Sequence, residues 1–199
     1  TSTTTLFREQ RRLGLAPREL GGRFQTGLYI DYPLAGFTEI WLAHAAGLID
    51  DGEYGEAEGA LDTLARYRPN MPERDRYSDE ICAYLRGILH FTTQRWPDVL
   101  AALDKSASFG DEYIKCGADL MVGSACAQLG LFGEGIRRLE SAAEGPIPAA
   151  VTDAEFCRGL TLREMGREED ARAIFERIYS EKPDFEANAA ALNLSLIHI

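Results

Sequence analysis

The stretch "GLFGEGIRRLESA", residues 130–142, returns in altered form three more times along the chain. The related stretches are "GEYGEAEGALDTL" at 52–64, "QRWPDVLAALDKS" at 94–106 and "GREEDARAIFERI" at 166–178. When they are aligned, a large apolar residue and a small or slim residue recur at fixed places in each. The large residues are Leu61, Leu103, Leu139 and Phe175, and the small or slim ones are Ala57, Val99, Gly135 and Ala171. A phrase that returns at a regular interval predicts a repeated structural unit.

A second set of small residues precedes the four stretches at one common register position. Its members are Ala45, Gly87, Gly123 and Gly159, with separations of 42, 36 and 36 residues. A glycine inside a helix costs about 0.5–1 kcal/mol relative to alanine, so its recurrence requires a compensating contact. We predict helical hairpins, in which the small residue of the first helix admits the large apolar residue of the second. The turns are expected at Gly52, Gln94, Gly130 and Gly166, with Pro97 in the first turn of a second helix.

This pattern of small, small and large residues resembles the tetratricopeptide repeat, which implies an all-α superhelix of helical hairpins. Residues 38–193 are predicted to hold four such repeats, at about 38–71, 80–113, 116–149 and 152–190. Pro69 and Pro183 close two of them. The charged stretch "RPNMPERDRYSDE" at 68–80 is expected to form a longer connection between the first two repeats.

The two ends of the chain do not follow the repeat. In residues 1–37 we predict a helix in "LFREQRRLGL" and a short β-hairpin, with strands at Arg23 to Gln25 and Leu28 to Tyr32 around Thr26-Gly27. An irregular loop is the alternative to the hairpin. The last six residues, "LSLIHI" at 194–199, match a reading frame of a sequencing-library adapter. We therefore expect this tail to be non-native and the natural chain to continue past Asn193.

Composition narrows the classes of partner. The formal net charge of −11 gives an acidic surface that would repel phosphate backbones and anionic lipid, so we expect no nucleic acid partner. No apolar run approaches the roughly 20 residues of a membrane span, and a cytoplasmic location is expected. The cysteines are scattered without a C-x-x-C pair, which favours free thiols packed as small apolar groups over disulfides or a zinc site. They are Cys82, Cys116, Cys126 and Cys157.

The sequence offers no motif for catalysis. A phosphate-binding P-loop, a Gly-x-Ser-x-Gly elbow, a His-Glu-x-x-His helix and a dinucleotide fingerprint are all missing from it. Neighbouring carboxylates such as Asp153 and Glu155, or Asp79 and Glu80, are interpreted as solvated surface. His44 and His90 lie on apolar helical stretches and are expected in a core or groove. We therefore predict no catalytic, cofactor-binding or metal-binding residue and no enzymatic activity for this chain by itself.

Binding of another protein is the favoured class of function, because arrays of helical hairpins form a concave groove lined by their first helices. The candidate groove residues lie near the small residue of each first helix. They are Leu42, Ile49, Tyr84, Phe91, Leu120, Phe156 and Arg163. This mostly apolar set favours an apolar helical ligand over an acidic C-terminal tail, which would require several cationic side chains. For the neighbouring Ile88 and Leu160 we favour a place in the core between repeats.

Five fragments, in this order and spacing, resemble the N-terminal domain of the EccA-type AAA ATPases of mycobacterial type VII (ESX) secretion. They are "TLFR" at 5–8, "YIDYPLAG" at 29–36, "RWPDVLAAL" at 95–103, "LGLFGEGIRRLESA" at 129–142 and "REMGREEDARAIFERIYSEKP" at 163–183. The resemblance covers nearly the whole chain. It implies a tetratricopeptide superhelix that carries a β-finger.

The resemblance also implies partners. In that family a C-terminal AAA module follows in cis, forms hexamers and hydrolyses ATP, so ATP and Mg are expected only there. The N-terminal domain would recruit secreted substrate proteins or their cytosolic chaperones. No ATP-binding or catalytic residue of the family is carried over to this chain. The alternative is a generic tetratricopeptide scaffold from an unrelated regulatory protein.

Overall fold

Short turns join the helices of this protein in consecutive pairs. The computed structural model describes residues 23–26, 30–33, 37–67, 78–183 and 185. The sites predicted at residues 6–15 and 194–199 and at Pro69 lie outside these residues, as does most of the charged stretch at 68–80. In chain order the elements are β1 (Arg23–Thr26), β2 (Ile30–Pro33), α1 (Phe37–Asp50), α2 (Tyr54–Tyr67), α3 (Ser78–Thr92), α4 (Trp96–Ala102), a 3₁₀ turn (Ser106–Ser108), α5 (Glu112–Gln128), α6 (Phe132–Ala143), α7 (Pro148–Glu164) and α8 (Glu168–Glu181).

The chain divides into two compact units, Thr1–Phe109 and Gly110–Ile199. In the first unit, α1 packs against α2, α3 packs against α4, and α3 also contacts both helices of the preceding pair. In the second unit, α5 packs against α6 and α7 packs against α8, while α7 contacts both α5 and α6. Each unit therefore holds two stacked helical hairpins, and the predicted all-α class of tetratricopeptide-like hairpins is confirmed.

The first unit also contains the predicted β-hairpin. Strands β1 and β2 pair antiparallel, with Arg23 opposite Pro33 and Thr26 opposite Ile30. Pairing in this register leaves three connecting residues, 27–29, one of the common lengths for such a connection. The predicted turn at Thr26-Gly27 and the start of the second strand at Leu28 are therefore corrected, because Thr26 belongs to β1 and β2 begins at Ile30.

All four hairpin turns use a left-handed residue at the first position of the repeated stretch. The φ angles are +79° at Gly52, +56° at Gln94, and +75° at both Gly130 and Gly166. At Gly130 the N–H donates to the carbonyl of Ala127 at 3.0 Å, and the N–H of Leu131 donates to the carbonyl of Cys126 at 2.8 Å. Equivalent pairs of bonds occur at Gly52, Gln94 and Gly166. These are Schellman motifs, which end a helix by satisfying its last carbonyl groups.

The recurring glycines of the first helices face the large apolar residues of the second helices, as predicted. A Cβ atom added at Gly87 would lie 2.7 Å from Leu103 Cδ1, one at Gly123 2.7 Å from Leu139 Cγ, and one at Gly159 2.5 Å from Phe175 Cε1. Such separations are shorter than ordinary van der Waals contact. The side chains of Leu139 and Phe175 are fully buried, and Leu103 is 1% exposed. The bare backbone is therefore what admits these large side chains.

The small residues within the four repeated stretches also lie in the hairpin interior. A Cβ atom added at Gly135 would lie 3.0 Å from the carbonyl oxygen of Gly123, so the backbones of α5 and α6 approach each other closely there. The equivalent residues Ala57, Val99 and Ala171 are fully buried. The two sets of small residues thus mark both sides of one helix contact in the third hairpin.

The second hairpin is shorter than its sequence predicted. Helix α4 ends at Ala102, and buried Leu103 caps its C-terminus with an N–H that donates to the carbonyl of Val99. The chain continues through a 3₁₀ turn at Ser106–Ser108 instead of completing the helix. Aspartate and serine compete for backbone hydrogen bonds through their side chains, which explains the early end in "DKSAS".

A buried ion pair crosses the third hairpin. Arg138 Nη1 of α6 lies 2.5 Å from Asp119 Oδ1 of α5, and the two side chains are 10% and 2% exposed. The hydroxyl of Ser141 donates to the other carboxylate oxygen at 2.7 Å, and Lys115 Nζ lies 3.4 Å from that same oxygen. Both carboxylate oxygens are therefore satisfied. A pair so arranged fixes the register of α5 against α6.

The left-handed geometry of the turns predicts opposite changes in unfolding free energy for two substitutions. Gln94→Gly removes a side chain from a left-handed residue, and we expect a gain in unfolding free energy of about 0.5–1 kcal/mol. Gly130→Gln imposes the same strain on another turn and should cost about 1–2 kcal/mol. An added Cβ at Gly130 meets no atom within 4 Å, so steric crowding does not confuse the comparison. Denaturant unfolding followed by far-ultraviolet circular dichroism measures both, and equal signs would contradict the explanation.

Substitutions on either side of the contact between glycine and large apolar residue should lower the free energy of unfolding. Phe175→Ala should lower the unfolding free energy by about 3–5 kcal/mol through the cavity it leaves. Gly123→Ala should cost about 1–3 kcal/mol by overpacking against Leu139. Gly133→Ala in α6 is the matched control, because its new methyl group meets no atom within 4 Å. Denaturant unfolding should find the control unchanged or slightly more stable. A tolerated Gly123→Ala would show that close helix approach is not the reason for the glycine.

Candidate protein-binding groove

Four of the predicted groove residues lie in the core. Leu42 and Tyr84 are fully buried, while Ile49 and Leu120 are 6% exposed. Leu120 belongs to a cluster with Cys116, Leu139, Ala142, Ile147, Ala150 and Ala154, all from the second unit. The assignment of these four side chains to a groove lining is therefore corrected. Residues one turn from the small residue flank the helix contact itself, so they are covered by the neighbouring helices. Ile88, at 3% exposed, is a core residue as predicted.

The three other predicted residues, Phe91, Phe156 and Arg163, are half-buried. The ring of Phe91 packs edge-on against Trp96 with centroids 5.5 Å apart. Phe156 contacts two further rings, with centroids 5.6 Å from Phe175 and 5.4 Å from Phe185. Phe156 therefore closes one side of the core of the fourth hairpin. Arg163 lies elsewhere, in the last turn of α7.

A groove of about 480 Å³ lies in the second unit, between the C-terminal half of α5, the start of α6 and the C-terminal half of α7. Apolar and polar groups share its lining. The lining residues are Ser124, Ala127, Gln128, Gly130, Phe132, Cys157, Leu160, Thr161, Arg163 and Glu164. We call this the turn groove, because it lies beside the turn at Gly130. Leu160 is half-buried in it, so the core position favoured for this residue from the sequence is only partly correct.

Three exposed apolar residues are next in sequence to residues that line the turn groove, and we call them its rim. Leu129 and Leu131 lie on either side of Gly130 and are 40% and 51% exposed. Met165 follows the lining residue Glu164 and is 41% exposed. Large apolar groups left in water at neighbouring positions are typical of a protein-binding surface.

The sequence contained a signal for this rim that the groove prediction did not use. Leu129 and Leu131 stand immediately before and after the left-handed residue of their turn. In the first unit the corresponding residues are polar: Asp51 and Glu53 at one turn, Thr93 and Arg95 at the other. A comparison of the turns would therefore have separated the second unit from the first.

Two charged side chains line the turn groove, the cation Arg163 and the anion Glu164. Arg163 Nη1 is buried and has no hydrogen-bond partner among the residues that the structure describes. Burial raises the pKa of the Cys157 thiol, an effect that the hydroxyl of Ser124 opposes. Cys157 therefore stays protonated near neutral pH and contributes an uncharged surface, since only a thiolate is a strong nucleophile or metal ligand.

The titratable side chains of the described residues outside the turn groove are accounted for by packing and ion pairs where the structure shows their contacts. Within them, no three metal-binding side chains come together, and no helix is long and apolar enough to cross a bilayer. Cys82, Cys116, Cys126 and Cys157 are free thiols, as predicted. Glu155, expected on the solvated surface, is instead 16% exposed and lies 2.7 Å from Arg177. This carboxylate joins α7 to α8, so its role is explained by packing.

Comparison with known proteins agrees with the helical-hairpin fold described above. The family described as the N-terminal domain of the type VII, ESX-1 secretion system protein EccA1 matches residues 1–195. The chain is 33% identical over 186 residues to the ESX-5 secretion system protein EccA5 of Mycobacterium marinum, covering 93% of the chain and 29% of that protein. It is 31% identical to the ESX-3 secretion system protein EccA3 of Mycobacterium leprae, covering 92% of the chain and 28% of that protein.

A solved structure agrees with these matches. The crystal structure of the N-terminal domain of the EccA1 ATPase from the ESX-1 system of Mycobacterium tuberculosis superposes with a TM-score of 0.73 at 26% identity. The match covers 92% of this chain and 65% of that one. The chain spans less than a third of the length of the full-length relatives.

His90 of α3 gives the first unit a predictable dependence on pH. Burial, then Arg95, lowers the pKa of His90 below 6.5, while Asp98 and Glu58 act in the opposite direction and Arg86 again lowers it. Because the folded chain binds this proton less well than the unfolded chain, stability should be complete above pH 6.5 and fall as the pH drops below that value. Trp41 and Trp96 both lie in this unit, so tryptophan fluorescence reports its unfolding selectively.

The measurement compares the parent with His90→Gln between about pH 7.5 and pH 5.5, where histidine is the main titrating side chain. We expect the parent to lose stability toward the acidic end and the variant to lose clearly less. Equal pH dependence of the two proteins would show that His90 is not the responsible group.

Proposed function

Because the chain belongs to the family of EccA N-terminal domains of type VII (ESX) secretion systems, we propose that it recruits secreted substrate proteins or their cytosolic chaperones. Its helices bind these partners through side chains at the surface of the second unit. The partner is a folded or helical protein that buries apolar groups on contact.

The turn groove and its rim are the observation that carries this proposal. Leu129, Leu131 and Met165 are exposed and are next in sequence to residues that line a partly apolar cleft, and apolar groups grouped in this way are typical of protein-binding sites. Burying such side chains supplies the larger part of the affinity of protein interfaces. This surface is therefore better suited to binding a partner protein than to catalysing a reaction.

We propose that ATP hydrolysis takes place outside this chain. The relatives extend well beyond the matched region, and the EccA1 structure is that of a domain of an ATPase. A C-terminal AAA module in cis would bind ATP and Mg²⁺, and the present domain would deliver partners to it. We place the protein in the cytoplasm, where ATP is available to such a module. The family membership argues against the alternative of a scaffold from an unrelated regulatory protein.

A substitution at the rim tests recruitment without harming the fold. Leu131 is the N-cap of α6 and makes no side-chain hydrogen bond to the helix. Leu131→Ser removes the apolar side chain and supplies a preferred N-cap, so the free energy of unfolding should stay equal or rise by up to about 1 kcal/mol. Titration calorimetry with substrate and chaperone proteins encoded beside the gene should find affinity for at least one, weakened about 5- to 30-fold in the variant.

Arg95→Ser is the matched control, because Arg95 is the N-cap at the equivalent turn of the first unit and also lacks a side-chain cap bond. This variant should bind like the parent. Failure of the parent chain to bind any of these proteins would refute recruitment by this domain. Equal weakening by both substitutions would refute the turn groove as the binding surface.

A further inference from the structure

Arg163 differs from most arginines of the second unit. Arg137 contacts Glu134, Arg138 contacts Asp119, and other arginines of the unit are likewise paired with acids. These other pairs are Arg158 with Glu140, Arg167 with Asp170 and Arg177 with Glu155. Arg163 has no such contact among the described residues, although its Nη1 atom is buried. A buried guanidinium N–H without a protein acceptor is energetically costly, so a carboxylate brought by a ligand would be bound favourably at this atom.

The position of Arg163 defines what that acceptor must be. Its side chain lines the turn groove together with Leu160 and Phe132. The exposed rim residues are next in sequence to other lining residues. A planar guanidinium binds a carboxylate through parallel hydrogen bonds, and the attraction is stronger where apolar groups exclude water. An acidic side chain flanked by apolar side chains therefore matches both the charge and the lining.

The walls of the groove restrict the backbone of the ligand. They are formed by α5, α6 and α7, whose main-chain groups are paired within the helices and at the turn. An extended strand would find no free sheet edge there and would leave its own N–H and C=O groups without protein partners. A helix satisfies its own backbone and presents side chains along one face, so it suits walls of this kind.

We propose that the turn groove receives an amphipathic helix of a partner protein, and that Arg163 selects ligands carrying an aspartate or glutamate among their apolar contact residues. The proposal rests on the recruiting function proposed above and adds the chemistry by which partners are recognised. Arg163 acts as a specificity residue, while Leu129, Leu131 and Met165 supply apolar contact.

The test begins with a phage-displayed library of 18-residue helical peptides, selected separately on the whole chain and on its Arg163→Met variant. Methionine keeps the length of the side chain without its charge, and loss of an unpaired buried cation should not destabilise the fold, which thermal unfolding checks. The parent should enrich one acidic position at fixed helical spacing from apolar positions. The variant should enrich the apolar positions alone.

A double-mutant cycle then measures the pair directly. For a selected peptide, replacing its acid with the corresponding amide should weaken binding to the parent about 10- to 100-fold, the usual effect of losing a charged hydrogen bond. The same replacement in the peptide should change its affinity for the Arg163→Met variant less than about threefold. For the Arg163→Lys variant, which keeps the charge, the amide peptide should still bind more weakly than the acid peptide, by a smaller factor than for the parent. Arg137→Met is the control, because Arg137 is an exposed arginine of the same unit that does not line the groove, and this variant should keep the parental preference.

Four results would overturn the proposal. One is enrichment without a fixed acid, and another is an equal loss on amide replacement in the parent and in Arg163→Met. The third is concentration-dependent self-association of the chain that the selected peptide abolishes, since a second copy would then occupy the groove. Secretion substrates or chaperones that bind without competing with the peptide would refute this inference and leave recruitment standing. A fixed acid in the selected peptides without binding of any such protein would refute recruitment alone.

Discussion

The contact between a bare stretch of helix backbone and one large apolar side chain organises the hairpins of this protein. At Gly159 the ring of Phe175 lies so close that even a methyl group would overlap it, and Leu139 stands in the same relation to Gly123. Such contacts exclude water from the helix interface and fix the distance between the two axes. The destabilising effect of glycine on the helix is offset by the burial that it permits. Since the same arrangement recurs, one packing solution serves several hairpins.

Close helix packing also explains the turns. Two helices that nearly touch must be joined by a very short connection, and a left-handed residue ends the first helix while directing the chain into the second. Three of the four turns use glycine for this purpose, and Gln94 adopts the same conformation at the fourth. The residues on either side of each left-handed position are exposed, except for Thr93, which is half-buried. Their character is free to differ between hairpins, and it is polar in the first unit and apolar around Gly130.

This difference locates the surface most suited to recognition. The turn at Gly130 and the end of α7 bring apolar side chains, an uncharged thiol, an arginine and a glutamate to one cleft. In the function that we propose, the apolar side chains supply affinity and Arg163 supplies selectivity.

The sequence by itself determined the hairpins, their turns, the facing pairs such as Gly123 with Leu139, the β-hairpin and the family. All of these depend on local periodicity or on the steric needs of single residues, which a repeat displays several times over. The tertiary structure alone decided which side chains remain accessible. Leu42 and Tyr84 have the spacing of groove residues and are fully buried, whereas Leu129 and Leu131 flank a turn and form a rim. Periodicity identifies the face of a helix on which a residue lies, but burial depends on what other helices cover that face, and residues distant in sequence determine that.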